Sequence, residues 1–248
     1  MMTGMAPRSQ MFWLVRGGND PAQCEDACAA DDNTSRYAVA DGAAEGCFSR
    51  LWAGMLVQDF VRASGLGIDG WYDSLLPVQQ RWDADVHSRV LRPSAKRAAR
   101  EGAFATFLGI VLGDPADPCR WQAVAVGDTC LMHTRGHVLL RSFPLDHASQ
   151  FDNYPNLVGS RMPVEAVLQR QRLWADGRGE SGDRLWAMTD ALAQWCLAEQ
   201  GGGGNPWATL ESLLPSPDGQ RDFAAWIEGL RNSRQLKNDD VTLLTIEL

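Results

Sequence analysis

The chain is poor in nitrogen ligands and in paired sulfur. Its 248 residues hold only four histidines (His87, His133, His137, His147), too few for a nitrogen-rich transition-metal site. The six cysteines (Cys24, Cys28, Cys47, Cys119, Cys130, Cys196) are scattered. No two have the Cys-x-x-Cys spacing of a zinc knuckle or a thioredoxin-type motif, so they read as reduced, mostly buried thiols. Any metal held here must be held by oxygen. Positive charge is also scarce: 23 basic against 31 acidic residues leave a net charge of −8, which argues against gripping nucleic acid or an anionic bilayer. No window approaches the roughly 18 unbroken apolar residues of a membrane span, and Met1–Gln10 has no signal-peptide pattern. The expected setting is the cytoplasm, without membrane or nucleic-acid partners.

Apolar residues, by contrast, make up 45% of the chain, with ten Trp and eight Phe, enough for a sizeable core. Met11–Gly17 and Arg36–Ala40 are short apolar runs that predict buried strands. Phe48, Leu51, Trp52, Met55, Leu56 and Phe60 recur at helical spacing, and a second helix is expected from Trp71 to about Val90, then a shorter one after Pro93. Strands are predicted over Phe104–Leu112, Trp121–Val126, Cys130–His133, Val138–Arg141, Leu168–Trp174, Arg184–Met188 and Val241–Leu248. Helices are predicted over Ala191–Ala198, Trp207–Leu213 and Arg221–Asn232. Thr134–His137 predicts a hairpin turn, and Gly201–Gly204 a surface loop. No repeat or linker divides the chain. The expectation is a flexible segment over residues 1–10 and one α+β domain over 11–248, because clustered strands and helices without βαβ regularity favour a layered sandwich.

Carboxylates gather at strand boundaries. Glu25-Asp26 precedes the first hairpin's apolar run, Asp41-Gly42 ends a strand, Asp128 and Asp190 each follow one, and Asp239-Asp240 precedes the last. Taken singly, an Asp after a strand is most often a turn former or a helix cap. If these boundaries converge, two carboxylates ~4 Å apart repel by roughly 4 kcal/mol at an effective dielectric of 20, and the cluster needs a cation or shared protons. All-oxygen ligation selects Mg²⁺ or Mn²⁺ over zinc.

The ordered set resembles the metal-dependent protein phosphatases of type 2C. Glu25-Asp26-Ala27 is similar to the family's Glu-Asp-Ala opening, Ala38-Val39-Ala40-Asp41-Gly42 to its strand leading into Asp-Gly, and Ala105-Thr106 to its Gly-Ser-Thr segment. Gly127-Asp128-Thr129 is similar to its Gly-Asp-Ser, Thr189-Asp190-Ala191 to its Thr-Asp-Gly, and Asn238-Asp239-Asp240-Val241-Thr242 to its closing Asp-Asp-x-Thr. Ser142-Phe143-Pro144 and the stretch Phe151-x-Asn153-x-Pro155 resemble a bacterial subgroup with a short loop over the active site.

The resemblance implies a four-layer α-β-β-α sandwich of two antiparallel sheets flanked by helices, with a dinuclear Mn²⁺ or Mg²⁺ centre at one end. Asp41 would bridge two metals, Gly42 would offer its carbonyl to one, and Asp190 and Asp239 would hold the other. Asp26 would act on metal-bound water with Glu25 beside it, and Asp128 matches an acid that serves a third, weaker site in some members. The implied activity is hydrolysis of phosphoserine and phosphothreonine in phosphoprotein partners, opposite a serine/threonine kinase, by metal-bound hydroxide rather than by cysteine. The alternative is a regulatory or phosphoprotein-binding module with weak or no turnover. Two departures bear on this choice. Pro21 stands where members often carry a phosphate-binding Arg, leaving Arg16 as the candidate, and Asp-Gly is followed by Ala43-Ala44-Glu45 instead of His-Gly-Gly.

Overall fold

The computed structural model describes residues 8–43, 48–63, 67–90, 93–113, 117, 119–152, 154–171 and 173–248. The first seven residues, Ala44, Glu45, Cys47 and Asn153, on which some expectations fell, lie outside the described residues. In chain order the strands are β1 (Arg8–Leu14), β2 (Ala27–Asp31), β3 (Arg36–Ala40), β4 (Phe104–Ala105), β5 (Phe107–Leu112), β6 (Arg120–Val126), β7 (Cys130–Arg135), β8 (Val138–Phe143), β9 (Val158–Gly159), β10 (Leu173–Arg178), β11 (Arg184–Met188) and β12 (Val241–Glu247). The helices are α1 (Ser49–Arg62), α2 (Trp71–Ser88), α3 (Pro93–Glu101), α4 (Val164–Gln171), α5 (Asp190–Gly201), α6 (Pro206–Leu213) and α7 (Gly219–Asn232).

Two antiparallel five-stranded sheets form, one in the order β1-β12-β11-β7-β8 and the other β10-β6-β5-β3-β2; β4 and β9 pair separately. Alternate residues of each central strand face opposite ways. Tyr37, Val39, Leu108, Ile110, Leu185 and Leu244 fill the space between the sheets. Their neighbours face outward: Ala38, Phe107 and Val124 meet α1 and α2 through Trp52, Leu56, Phe60 and Trp71, and Met132, Trp186 and Leu243 meet α5–α7 through Leu192, Trp207, Phe223 and Ile227. With both faces covered, the strands read as continuous apolar runs rather than alternating ones, as all five buried residues of β3 illustrate. The result is the expected α-β-β-α sandwich. Each fully buried Leu or Phe contributes roughly 1.5–3 kcal/mol. Close approach also fixes Gly109, where a Cβ would lie 2.6 Å from the Phe60 ring.

Three local expectations change. β1 begins at Arg8 and ends at Leu14, because its partner is β12 over that register, Arg8 with Glu247 through Leu14 with Val241. Phe104–Leu112 is two strands, since the chain breaks at Thr106, whose side chain is drawn into a polar network described below. Leu168–Trp174 is not one strand: α4 runs to Gln171, started by Pro163, and its Val164 and Val167 pack against the α1–α2 side, so β10 begins only at Leu173. Among the described residues no helix is long and apolar enough to cross a membrane.

Candidate metal centre

Strand register brings the acids together. In the first sheet Leu14 pairs with Val241, Leu243 with Met188, and Met188 with Cys130, so one edge gathers the end of β1, the start of β12, the end of β11 and the start of β7. In the second sheet Ala27 pairs with Ala40, Val39 with Leu108, and Phe107 with Val126. The short link Gly127-Asp128-Thr129 joins β6 to β7 and turns both edges the same way. Arg16, Glu25-Asp26, Asp41-Gly42, Asp128, Asp190 and Asp239-Asp240 are the residues just beyond these strand ends. Residues far apart in the chain thereby line one cleft of about 540 Å³, among them Arg16, Glu25, Asp41, Asp128, Asp190 and Asp239.

Backbone bonds set each position. The Thr106 N–H donates to the Asp41 carbonyl (2.8 Å), the Asp41 N–H donates to Thr106 Oγ1 (3.2 Å), and Thr106 and Thr129 share a hydroxyl bond of 2.6 Å. Gly42 bridges to Ala105, and a Cβ there would lie 2.8 Å from the Glu25 carbonyl oxygen and 3.0 Å from the Ser49 backbone, which only glycine avoids. Gly127 has φ +95°, a left-handed turn in which a Cβ would meet the Asn156 carbonyl at 2.7 Å. Asp240 accepts from the backbone N–H of Arg16 (2.7 Å) and of Glu25 (2.6 Å), stitching the loop after β1 and the entry to β2 onto the start of β12. Asn238 Oδ1 accepts the Gly17 N–H at 2.7 Å, doubling that seam.

The carboxylates themselves lack compensation. Burial, and then the charges of Asp26, Asp190 and Asp128, hold the Asp41 carboxyl well above the usual carboxylate range. Burial with the Asp190 charge pushes Asp128 up to about 7, and burial with the Asp240 charge pushes Glu25 up to about 7. Asp190 is raised by burial and by Asp239, against the pull of Lys237. Asp26 differs in position: it lines a separate hollow of about 200 Å³ with Cys24 and Cys28 rather than the cleft wall, and Pro21 lies there too. Its Oδ2 accepts from Thr189 Oγ1 (3.0 Å), its buried Oδ1 has no hydrogen-bond partner, and burial with the Asp240 and Asp190 charges pushes it up to about 8. Burial also raises the Cys24 and Cys28 thiols, the latter to about 11, so neither is a thiolate at neutral pH.

Lys237 is the residue that sequence reading missed. Its Nζ donates to Asp190 Oδ2 (3.2 Å) and to Asp239 Oδ2 (2.7 Å), an internal cation set between two of the acids. Among the described residues no three acidic, thiol or imidazole side chains stand as a ready coordination set. The donors nonetheless fit a hard divalent ion: they are all oxygen, they are partly dry and they repel one another. Of the residues singled out from sequence, Arg16, Glu25, Asp41, Gly42, Asp128, Asp190 and Asp239 all line the cleft and Asp26 sits beside it. The adjoining loop adds Asp152, Tyr154 and Pro155 to the cleft wall.

The architecture is that of the metal-dependent, type 2C-like serine/threonine phosphatases. Among solved structures, the serine/threonine phosphatase PstP of Mycobacterium tuberculosis is similar over 98% of this chain and 99% of its own, with TM-score 0.66 and 15% identity. PppA, a key regulatory component of the type VI secretion system in Pseudomonas aeruginosa, is similar over 98% of both chains, with TM-score 0.62 and 17% identity. The catalytic domain of PstP in complex with two manganese ions matches over 97% of both chains, with TM-score 0.63 and 16% identity. At these identities the likeness is one of fold. No protein-family model and no curated protein sequence matches the chain.

Proposed function

We propose that the chain, as one domain that takes in β1 from Arg8, is a Mn²⁺- or Mg²⁺-dependent phosphatase acting on phosphoserine and phosphothreonine in proteins. The observation that carries this reading is the convergence of Asp41, Asp190 and Asp239, from three distant segments, on one cleft with too few internal cations to balance them. Asp41 and the Gly42 carbonyl would hold one ion, and Asp41, Asp190 and Asp239 the other, with Asp128 available to a third. When bound, the ions supply Lewis-acid stabilisation of the phosphoryl oxygens and lower the pKa of water. Arg16, its backbone pinned by Asp240 and its side chain on the cleft, takes the place of the missing arginine at Pro21 and orients the substrate phosphate. Glu25, held through its own N–H by Asp240, orients water on the cleft wall. Asp26, behind that wall with its buried Oδ1 unpartnered, would hold a proton at the back of the site rather than take one directly from water in the cleft. No thiol is needed, consistent with the raised Cys24 and Cys28.

Pro21 and the Lys237 contacts favour a second reading, a regulatory module that keeps the fold with little turnover. Hydrolysis of a generic aryl phosphate by purified protein, with and without Mn²⁺ and alongside Asp239→Asn, separates the two. Manganese-dependent turnover lost in the variant supports the enzyme. Manganese binding without turnover supports the module.

A further inference from the structure

A second hollow adjoins the cleft, of about 220 Å³, floored by Ala99 and rimmed by His87, Arg89, Lys96, Arg100 and Arg161. No acid lines it. Four of its lining residues, Arg89, Lys96, Ala99 and Arg100, come from a stretch that runs against the charge of the molecule: five of the twelve residues Arg89–Arg100 are basic and none is acidic, in a chain of net charge −8. Part of this charge is already answered, Arg89 by Asp85 at 2.6 Å and Arg161 by Asp83. Lys96 and Arg100, exposed one turn apart on α3, form no ion pair among the described residues. Their neighbour Arg97 points to another face and pairs with Glu101 at 2.9 Å.

The hollow and the cleft share a wall. Arg100 lines the hollow, and the next two residues, Glu101 and Gly102, line the cleft. Arg161 packs over that junction, since a Cβ on Gly102 would lie 3.5 Å from its Cβ and Cγ. An extended peptide with one residue in the cleft therefore passes the cationic rim a short step along its length.

We infer that this hollow is an accessory anion site that takes the carboxylates, or a second phosphate, of the peptide segment flanking the residue held in the cleft. The inference rests on the phosphatase reading for what fills the cleft, but anion binding in the hollow does not. A short acidic segment fits the geometry better than a nucleic acid, because a continuous phosphate backbone would also have to cross the carboxylate-lined cleft.

The test uses the full chain and fluorescence anisotropy with a labelled, unphosphorylated acidic peptide, a neutral peptide of equal length and a single-stranded oligonucleotide of equal charge. The expected result is binding of the acidic peptide that weakens with salt and falls about tenfold in Lys96→Glu/Arg100→Glu, while Arg97→Glu changes it less than about twofold. Thermal midpoints of all three proteins check that they fold. With phosphopeptides, the ratio of kcat/KM for acidic-flanked, and separately for doubly phosphorylated, over neutral-flanked substrate should fall by a similar factor in the double variant, and the two ratios distinguish carboxylate from phosphate as the preferred group. No preference for the acidic peptide, an equal loss in Arg97→Glu, or tighter binding of the oligonucleotide would overturn the site. Charge-dependent peptide binding without turnover of any substrate would keep the anion site and remove the phosphatase reading; turnover of aryl phosphate without acidic preference would do the reverse.

Discussion

Strand β11 carries an aspartate beyond each end, and the two have opposite fates. Asp183, just before the strand, has a side chain only 2% exposed and is fully answered by protein: Arg135 donates two bonds (2.9 and 3.0 Å), His133 lies at 3.0 Å, and the Glu180 N–H donates at 2.8 Å. Burial pushes its pKa up, but these donors outweigh it and hold the carboxyl down at about 2. Asp190, just after the strand, has its own helix N–H and Lys237, yet faces Asp239 and is raised. Burial alone decides neither. One end of the sandwich balances its charge internally, as structural acids do; the other leaves a deficit that a ligand cation can fill.

The largest test of this contrast is Asp41→Asn, which keeps shape and removes one charge from the crowded end. Manganese-dependent hydrolysis should fall by ~10²-fold or more, while the metal-free protein melts at the same temperature or slightly higher. Equal activity of variant and wild type would refute the site.

At the other end, Asp183→Asn should cost about 3 kcal/mol in urea unfolding, since it removes the charge that answers buried His133 and the Arg135 fork, and leave metal binding intact. Its pH signature has a definite sign. A carboxyl depressed in the folded state stabilises above its unfolded pKa and loses that contribution as pH falls toward the folded value. The stability gap between wild type and Asp183→Asn should therefore shrink by about 2 kcal/mol between pH ~4 and ~2. A gap constant through that window would mean that the bonds contribute nothing.

Mn²⁺ should raise the thermal midpoint of the wild type by linkage worth ~2.7 kcal/mol at one hundred times its dissociation constant. The shift should be lost in Asp239→Asn and kept in Asp183→Asn. A smaller effect is expected of Lys237→Met: with the competing ammonium gone, calorimetry should show Mn²⁺ binding tightened by about threefold to tenfold, as removal of one half-exposed charge pair predicts. Weaker binding would assign Lys237 a supporting role instead. The smallest effect is that of Cys24→Ser or Cys28→Ser, for which turnover should stay within a few fold. Loss of several hundredfold with the fold intact would point to covalent catalysis.

The layers and the acids were legible in the sequence for one physical reason: both depend on local pattern. Apolar runs such as Arg36–Ala40 announce strands covered on both faces, and an acid directly after such a run must lie at a sheet edge. What was not legible depends on contacts across long separations. Lys237 reads as a surface lysine until folding sets it between Asp190 and Asp239. Asp240 reads as one more acid before a strand, until folding sets its two oxygens on the amides of Arg16 and Glu25. The Leu and Trp of Leu168–Trp174 favour a strand locally, but the helix start at Pro163 prevails and carries α4 to Gln171. Asp26 was legible as an acid at a strand boundary, but its place behind the cleft wall was not, because sheet pairing rather than spacing decides which side a β2 entry residue faces.

The pairing of β1 with β12 also governs timing. Arg8 meets Glu247, and the seam between Asp240 and the loop after β1 closes only with them. At ~5–20 residues per second, synthesis keeps the first strand waiting roughly 12–50 s for its partner. During that interval β1 has no mate and the cleft lacks Asp190, Lys237 and Asp239. Such long-range closure is slow and leaves strand edges open to other chains. The acidic cleft is therefore incomplete until the β12 segment emerges, and overexpression at high temperature should be limited by aggregation of this waiting strand rather than by the stability of the finished fold.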